Sequence, residues 1–210
     1  MTQAQKISGL YAICDTSFSL QYSHLELADL ILQGGCKVLQ LRMKGEKDLA
    51  KVRAATEQIL SLKKKYDFTF ILNDYVDLAA ELSVDGVHVG QDDLSIAETR
   101  KKVGPKKIIG YSSHSLDEAI AGEKAGADYV ALGAIFPTQT KGAGHPVQGL
   151  ETLQTVVQSL TVPVVAIGGI TLANLKSVLE CKPAAIAVIT ALSKAPNVLQ
   201  ATRNFLDLIA

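Results

Sequence analysis

Two kinds of segment alternate along the chain. Short apolar runs rich in β-branched residues lie at Leu10 to Cys14, Val38 to Leu41, Phe68 to Leu72, Gly86 to Val89, Lys107 to Gly110, Tyr129 to Leu132, Val164 to Ile167 and Ala185 to Ile189. Most are continuously apolar, the pattern of strands buried on both faces of a parallel sheet. Between them, apolar positions recur at helical spacing. Leu25, Leu27, Ala28, Ile31 and Leu32 form one stripe, and Leu49, Val52, Ala55, Ile59 and Leu62 another. Shorter helices are predicted over Tyr75 to Glu81, Ile96 to Lys102, Leu116 to Ala125, Leu150 to Ser159, Leu172 to Leu179 and Val198 to Leu208. Gly34-Gly35, Gly104-Pro105 and Gly126 stand where helices should stop, and Ser115 and Thr171 stand at predicted N-caps.

Strict alternation of eight strands with eight helices admits a closed (β/α)8 barrel or a doubly wound open sheet. The open sheet usually carries a Gly-rich nucleotide loop after its first strand, whereas here Cys14-Asp15-Thr16-Ser17 follows. The 210 residues just meet the length a barrel needs. The expectation is therefore a single-domain α/β protein, a (β/α)8 TIM barrel spanning residues 1–210.

Composition narrows the function. The 21 basic and 21 acidic residues balance, so no general nucleic-acid binding is expected and any positive site must be local. Cys14, Cys36 and Cys181 form no CxxC pair, and reduced thiols are expected. No apolar run reaches a membrane span, and Met1 to Lys6 is polar. These features point to a soluble cytoplasmic protein, with no nucleic-acid or membrane partner expected.

In a barrel, chemistry gathers where the strands end. Gln40, Arg42 and Lys44 alternate onto one side at the second strand's end, which suits a polyanion or a solvated edge. Asn73-Asp74 and Asp92-Asp93 follow the third and fourth strands. Carboxylates there could share a Mg2+ ion with substrate phosphates, or merely cap helices. Ser112, Ser113, His114 and Ser115 follow the fifth strand; His114 reads as an acid/base or a polar loop residue, with no partner visible. His88, inside a strand, reads as a core histidine rather than a catalyst. The long segment Gly133 to Gln148, with Thr138, Thr140, Lys141 and His145, has the ingredients of an anion-gripping lid. Gly168-Gly169 and Ile189-Thr190 end the last two strands, a common place for phosphate in barrels. Two anion sites result. One uses Arg42, Lys44, Lys141 and a metal on Asp74 and Asp93; the other uses backbone at Gly168-Gly169 and Ile189-Thr190.

Six segments in order resemble the motifs of the thiamine-phosphate synthase (thiamine-phosphate pyrophosphorylase) family. They are Gln40-Leu41-Arg42-Met43-Lys44, Leu72-Asn73-Asp74, Asp85 to Asp93, Gly110-Tyr111-Ser112, Pro137-Thr138-Gln139-Thr140-Lys141 and Ile167-Gly168-Gly169-Ile170. The resemblance implies an enzyme that joins 4-amino-2-methyl-5-pyrimidinylmethyl diphosphate to a thiazole phosphate, giving thiamine phosphate and diphosphate. It implies catalytic roles for Arg42, Lys44, Ser112 and Lys141. It also implies substrate contacts from Gln40, Asn73, Thr138, Thr140, Gly169, Ile189 and Thr190. Mg2+ would sit on Asp74 and Asp93, and the assembly would be a homodimer. The family commonly has Ser where this chain has Thr190. Rival readings are a thiazole tautomerase of the same fold, working through His114, a non-catalytic binder of phosphate ligands, or another phosphate-binding barrel isomerase.

Overall fold

In the computed structural model, which describes residues 6–18, 21–138 and 146–210, the eight apolar runs become eight parallel strands. They are β1 (Gly9–Cys14), β2 (Val38–Leu41), β3 (Thr69–Asn73), β4 (Gly86–Val89), β5 (Ile108–Ser113), β6 (Tyr129–Leu132), β7 (Val164–Ile167) and β8 (Ala185–Val188). Each pairs with its sequence neighbours, and β8 returns to β1 with Leu10 opposite Ile186. The sheet is a closed barrel, as predicted.

Alternation of side chains explains why the runs are apolar throughout. Tyr11, Ile13, Val38, Ile71, Tyr129 and Val165 fill the barrel interior. Their neighbours in sequence, such as Leu10, Ala12, Leu39, Phe70, Leu72 and Val130, face outward and are covered by helices. A strand with both faces dry needs apolar residues at successive positions. The covering helices are α1 (His24–Gln33), α2 (Leu49–Ser61), α3 (Val76–Glu81), α4 (Ile96–Val103), α5 (Leu116–Lys124), α6 (Gly149–Ser159), α7 (Leu175–Glu180), a one-turn α8 (Thr190–Ser193) and α9 (Val198–Ile209). No helix among the described residues is long and apolar enough to cross a membrane. The three cysteines are free thiols.

Several boundaries differ from the expectation. Strand β5 continues past Gly110, because Tyr111, Ser112 and Ser113 pair with Val130, Ala131 and Leu132. Strand β8 stops at Val188, and α8, unforeseen in the sequence, begins at Thr190. Thr171 is not a helix cap. Its N–H donates to Asn174 Oδ1 at 2.8 Å while the Asn174 amide donates to Gly169 O at 2.9 Å, so a local turn postpones α7 to Leu175. Leu49 is 56% exposed and outside the buried stripe of α2. Thr56 takes an inward place, its hydroxyl satisfied by Val52 O at 2.7 Å. Ser115 does cap α5, accepting from Glu118 N at 3.1 Å.

Candidate active site

The C-terminal ends of the strands open on one mouth, and β2 to β5 frame a cleft of about 350 Å3 there. Arg42, Lys44, Asn73, Asp74, Asp93 and Ser112 all line it. Residues from four strand ends therefore meet as the sequence suggested, but their partners give them different roles.

Arg42 lies just beyond β2, and its guanidinium pairs with Asp15 at the end of β1. Asp15 is only 2% exposed and also accepts from the Ser17 N–H at 3.0 Å and the Ser17 hydroxyl at 2.5 Å. The arginine is thus a held cation rather than a loose surface one. Lys44 is more exposed and donates to Asp74 at 2.9 Å. Its loop is pinned by the Tyr75 hydroxyl, whose single proton is shared between the carbonyls of Met43 at 2.7 Å and Glu46 at 2.8 Å. Gln40 points into the barrel, where it donates to the Tyr11 hydroxyl at 2.9 Å.

The two carboxylates are not caps. Helix α3 starts at Val76 after an N-cap Tyr75 that makes no side-chain cap, and α4 is capped by Ser95 in a capping box with Glu98. Asp74 has a left-handed backbone, φ 67°, with its N–H donated to His88 O at 2.9 Å. Aspartate tolerates that region better than most residues, yet it is uncommon and gathers at functional positions. Asp93 Oδ2 accepts the Gly90 N–H at 2.7 Å. Burial pushes the Asp74 carboxyl above its ordinary value; the facing Asp93 carboxylate adds to the rise and Lys44 opposes it. Like charges this close disfavour one another unless a proton or cation sits with them. No group of three or more His, Cys, Asp or Glu gathers as a metal site among the described residues. What stands here is a pair of hard oxygen donors beside an open cleft, a set that fits Mg2+ completed by phosphate and water.

His114 lines the same cleft and has an acidic partner, contrary to the sequence reading: its Nδ1 lies 3.4 Å from Glu118 Oε2, one helical turn on. Ser112 is half-buried, with its Oγ 2.8 Å from His88 Nε2. His88 is the buried, satisfied histidine expected.

A smaller pocket of about 50 Å3 lies on the β6–β8 side, and an interior pocket of about 60 Å3 shares Arg42, Asn73 and Ser112 with the cleft and Gly133, Ile167 and Ile189 with that smaller pocket. Thr138, Gly168, Gly169, Ile189 and Thr190 line the smaller pocket, so the second group of sequence candidates also converges. The paired glycines have a steric cause. Both have positive φ, and a Cβ on Gly168 would stand 2.7 Å from Ala134 Cα, one on Gly169 2.7 Å from Pro137 O. The segment after β6 is laid against them, with Ile135 N donating to Ile167 O and Phe136 N to Gly168 O, each at 3.0 Å. Thr140, Lys141 and His145 lie outside the described residues.

Sequence reasoning missed Asp15, Tyr75, Glu118 and the tyrosines Tyr11 and Tyr129. Only the tyrosines carried a signal: a buried phenol within an apolar run demands a polar partner.

Fold and mouth together define a (β/α)8-barrel enzyme with a cation-and-carboxylate cleft beside a glycine-lined pocket. The thiamine monophosphate synthase family profile matches residues 10–192. The thiamine-phosphate synthase of Methanospirillum hungatei is 38% identical over 201 residues, covering 96% of this chain and 97% of that protein. That of Bacillus cereus is 45% identical over 180 residues, covering 84% and 81%. The solved thiamine phosphate pyrophosphorylase of Pyrococcus furiosus superimposes with a TM-score of 0.89 at 35% identity, over 98% of this chain and 96% of that one. The chain belongs to the thiamine monophosphate synthase family and has the synthase activity for which the family is named.

Proposed function

We propose that the cleft binds 4-amino-2-methyl-5-pyrimidinylmethyl diphosphate, that the smaller pocket takes the phosphate of a thiazole phosphate, and that the enzyme joins the two carbon frameworks. One observation carries this reading: the held Arg42, Lys44, Ser112 and the Asp74–Asp93 pair line a single cleft, and an interior pocket shares lining residues both with that cleft and with the pocket at Gly169, Ile189 and Thr190.

The reaction breaks the bond between the pyrimidine methylene carbon and a diphosphate oxygen, and the electron pair leaves with diphosphate. The aminopyrimidine ring can donate electron density to that carbon. The thiazole nitrogen then supplies the pair for the new carbon–nitrogen bond, so no protein nucleophile is needed. What the protein must do is neutralise the charge growing on diphosphate and hold the reactants in line. Arg42 and Lys44 offer fixed positive charge, and Ser112 offers a hydroxyl. Asn73, buried at the cleft floor, is placed to orient the pyrimidine or the diphosphate. Thr138 lines the smaller pocket, which supports a role for it on the thiazole side. The family resemblance adds Lys141 to the diphosphate and Thr140 to the thiazole. Mg2+ held by Asp74 and Asp93 would supply Lewis-acid neutralisation of the leaving group.

The expected outcome is release of diphosphate when both substrates are supplied, lost on adding EDTA and restored by Mg2+. Thiamine phosphate should appear by mass spectrometry. Turnover indifferent to EDTA would remove the metal, and absence of thiamine phosphate would remove the reading of the two pockets. We further propose a cytoplasmic homodimer. Exposed Leu49 and Leu94 line an outer groove with the charged Arg53, Asp77 and Glu81, apolar surface with a polar edge of the kind such an interface buries. Sedimentation as a monomer at micromolar concentration would sink that part.

A further inference from the structure

Behind the cleft, five polar side chains form a file through the barrel interior. Gln40 Nε2 donates to the Tyr11 hydroxyl at 2.9 Å. The Tyr11 and Tyr129 hydroxyls meet at 2.7 Å. The Tyr129 hydroxyl lies 2.9 Å from His88 Nδ1, and His88 Nε2 lies 2.8 Å from Ser112 Oγ. Both tyrosines are buried, and burial pushes both phenols far above their ordinary range, so each keeps its proton. The file is built at a cost to its surroundings. A Cβ on Gly110, in the middle of β5, would stand 2.0 Å from Tyr129 Cζ, so a glycine is spent within a strand to seat that ring.

Hydrogen bonds have direction. A hydroxyl has one proton to give, and a neutral imidazole has one donor and one acceptor nitrogen. With the Gln40 amide donating to Tyr11, the Tyr11 proton goes to the Tyr129 oxygen. The Tyr129 proton then goes to His88 Nδ1. The imidazole is left as the Nε2–H tautomer and donates to Ser112 Oγ. The Ser112 proton must point elsewhere, and the open spaces that Ser112 lines are the cleft shared with Arg42 and Lys44 and an interior pocket that Arg42 also lines. We infer that Tyr129 and His88 are positioning residues that fix the Ser112 hydroxyl as a hydrogen-bond donor to the anion held in that cleft. The inference rests on reading the cleft as the diphosphate site. Its benefit is preorganisation: a dipole already aimed at the leaving group needs no reorientation as charge develops. With the opposite polarity a serine lone pair would face the anion.

The test begins with the tautomer. In protein labelled with 15N-histidine, the His88 resonances, assigned by their loss in His88→Gln, should show a protonated Nε2 and a bare Nδ1. Tyr129→Phe should abolish that preference and lower kcat/KM about tenfold to a hundredfold, the range for one hydrogen bond to an ionised group. In a Ser112→Ala background the same Tyr129→Phe change should alter kcat/KM less than about threefold, because the two residues act as one unit. A purely structural Tyr129 would cost the same in both backgrounds, and that result overturns the inference. So does His88 found as the Nδ1–H tautomer in the unmutated enzyme, a measurement that uses a variant only to assign the resonance. Loss of the diphosphate reading is distinguishable: Ser112→Ala and Arg42→Ala would then leave turnover intact whatever the tautomer.

Discussion

Asp15 decides what Arg42 can do. A guanidinium beside a barrel mouth could wave into solvent, but this one is clamped by a buried carboxylate that Ser17 also holds. Breaking such a pair from the acidic side leaves a positive charge at the edge of an open cleft that water can reach, at a cost of about 1–3 kcal/mol. Asp15→Ala should therefore destabilise the protein by about that much in urea denaturation. Arg42→Ala should cost less, because the Ser17 hydroxyl and N–H still satisfy Asp15. Equal losses would mean that the pair is solvated and the clamp unimportant. The sequence displayed Arg42 and hid Asp15 for one reason. A cation near two others at alternating positions forms a pattern, whereas a lone carboxylate after the first strand looks like any turn residue. Gln40 shared the pattern of Arg42 and Lys44 but lies one layer deeper, where it meets Tyr11. Alternation gives the side a residue faces and says nothing of its depth along the barrel axis.

Among the elements, α4 separates stability from chemistry. Its cap is Ser95, which accepts from Glu98 N at 3.2 Å while Glu98 accepts from the Ser95 hydroxyl at 2.6 Å. Asp93, two residues earlier, holds the Gly90 N–H and faces Asp74. Ser95→Ala should lower stability by about 1 kcal/mol and spare the Mg2+ response of turnover. Asp93→Ala should weaken that response with a smaller change in thermal unfolding. The reverse assignment of effects would return Asp93 to a capping role. The same box has an acid signature. The Ser95 hydroxyl and then its N–H hold the Glu98 carboxyl below its usual 4.5. A depressed folded value means that the contribution is present above pH 4.5 and fades as pH falls through the lowered value. Acid titration of stability in Glu98→Gln should be shallower in that window. Elements were legible in the sequence as far as their periodicity ran. The start of α7 and the existence of α8 were not, because side-chain turns at Asn174 and a single helical turn leave no periodic trace.

The whole barrel was the easiest thing to read, because closure forces every strand to be dry on both faces and every helix to cover one. The two clusters of candidate residues were legible for a related reason: the fold brings all strand ends to one mouth, so residue type at each end is enough to nominate a cluster. The internal polar file was not, since only the closed barrel brings Tyr11 beside Tyr129, 118 residues apart in sequence. Closure also links the cleft to global stability. Arg42 bonds back to the end of β1, Asp74 follows β3, Asp93 follows β4 and Ser112 lies in β5, so a ligand gripped by all of them ties together strands that must separate on unfolding. Binding to the folded state alone stabilises by mass action, about 2.7 kcal/mol at a hundredfold excess over Kd. For a chain of this size that corresponds to a rise in Tm of about 5–10 °C. Diphosphate with Mg2+ should produce this rise by calorimetry, and diphosphate with EDTA should produce much less. Arg42→Ala and Asp74→Asn should each suppress it, whatever their own starting Tm. If diphosphate raised Tm equally with and without the metal, Asp74 and Asp93 would be bystanders, and the anion would be held by the cations alone.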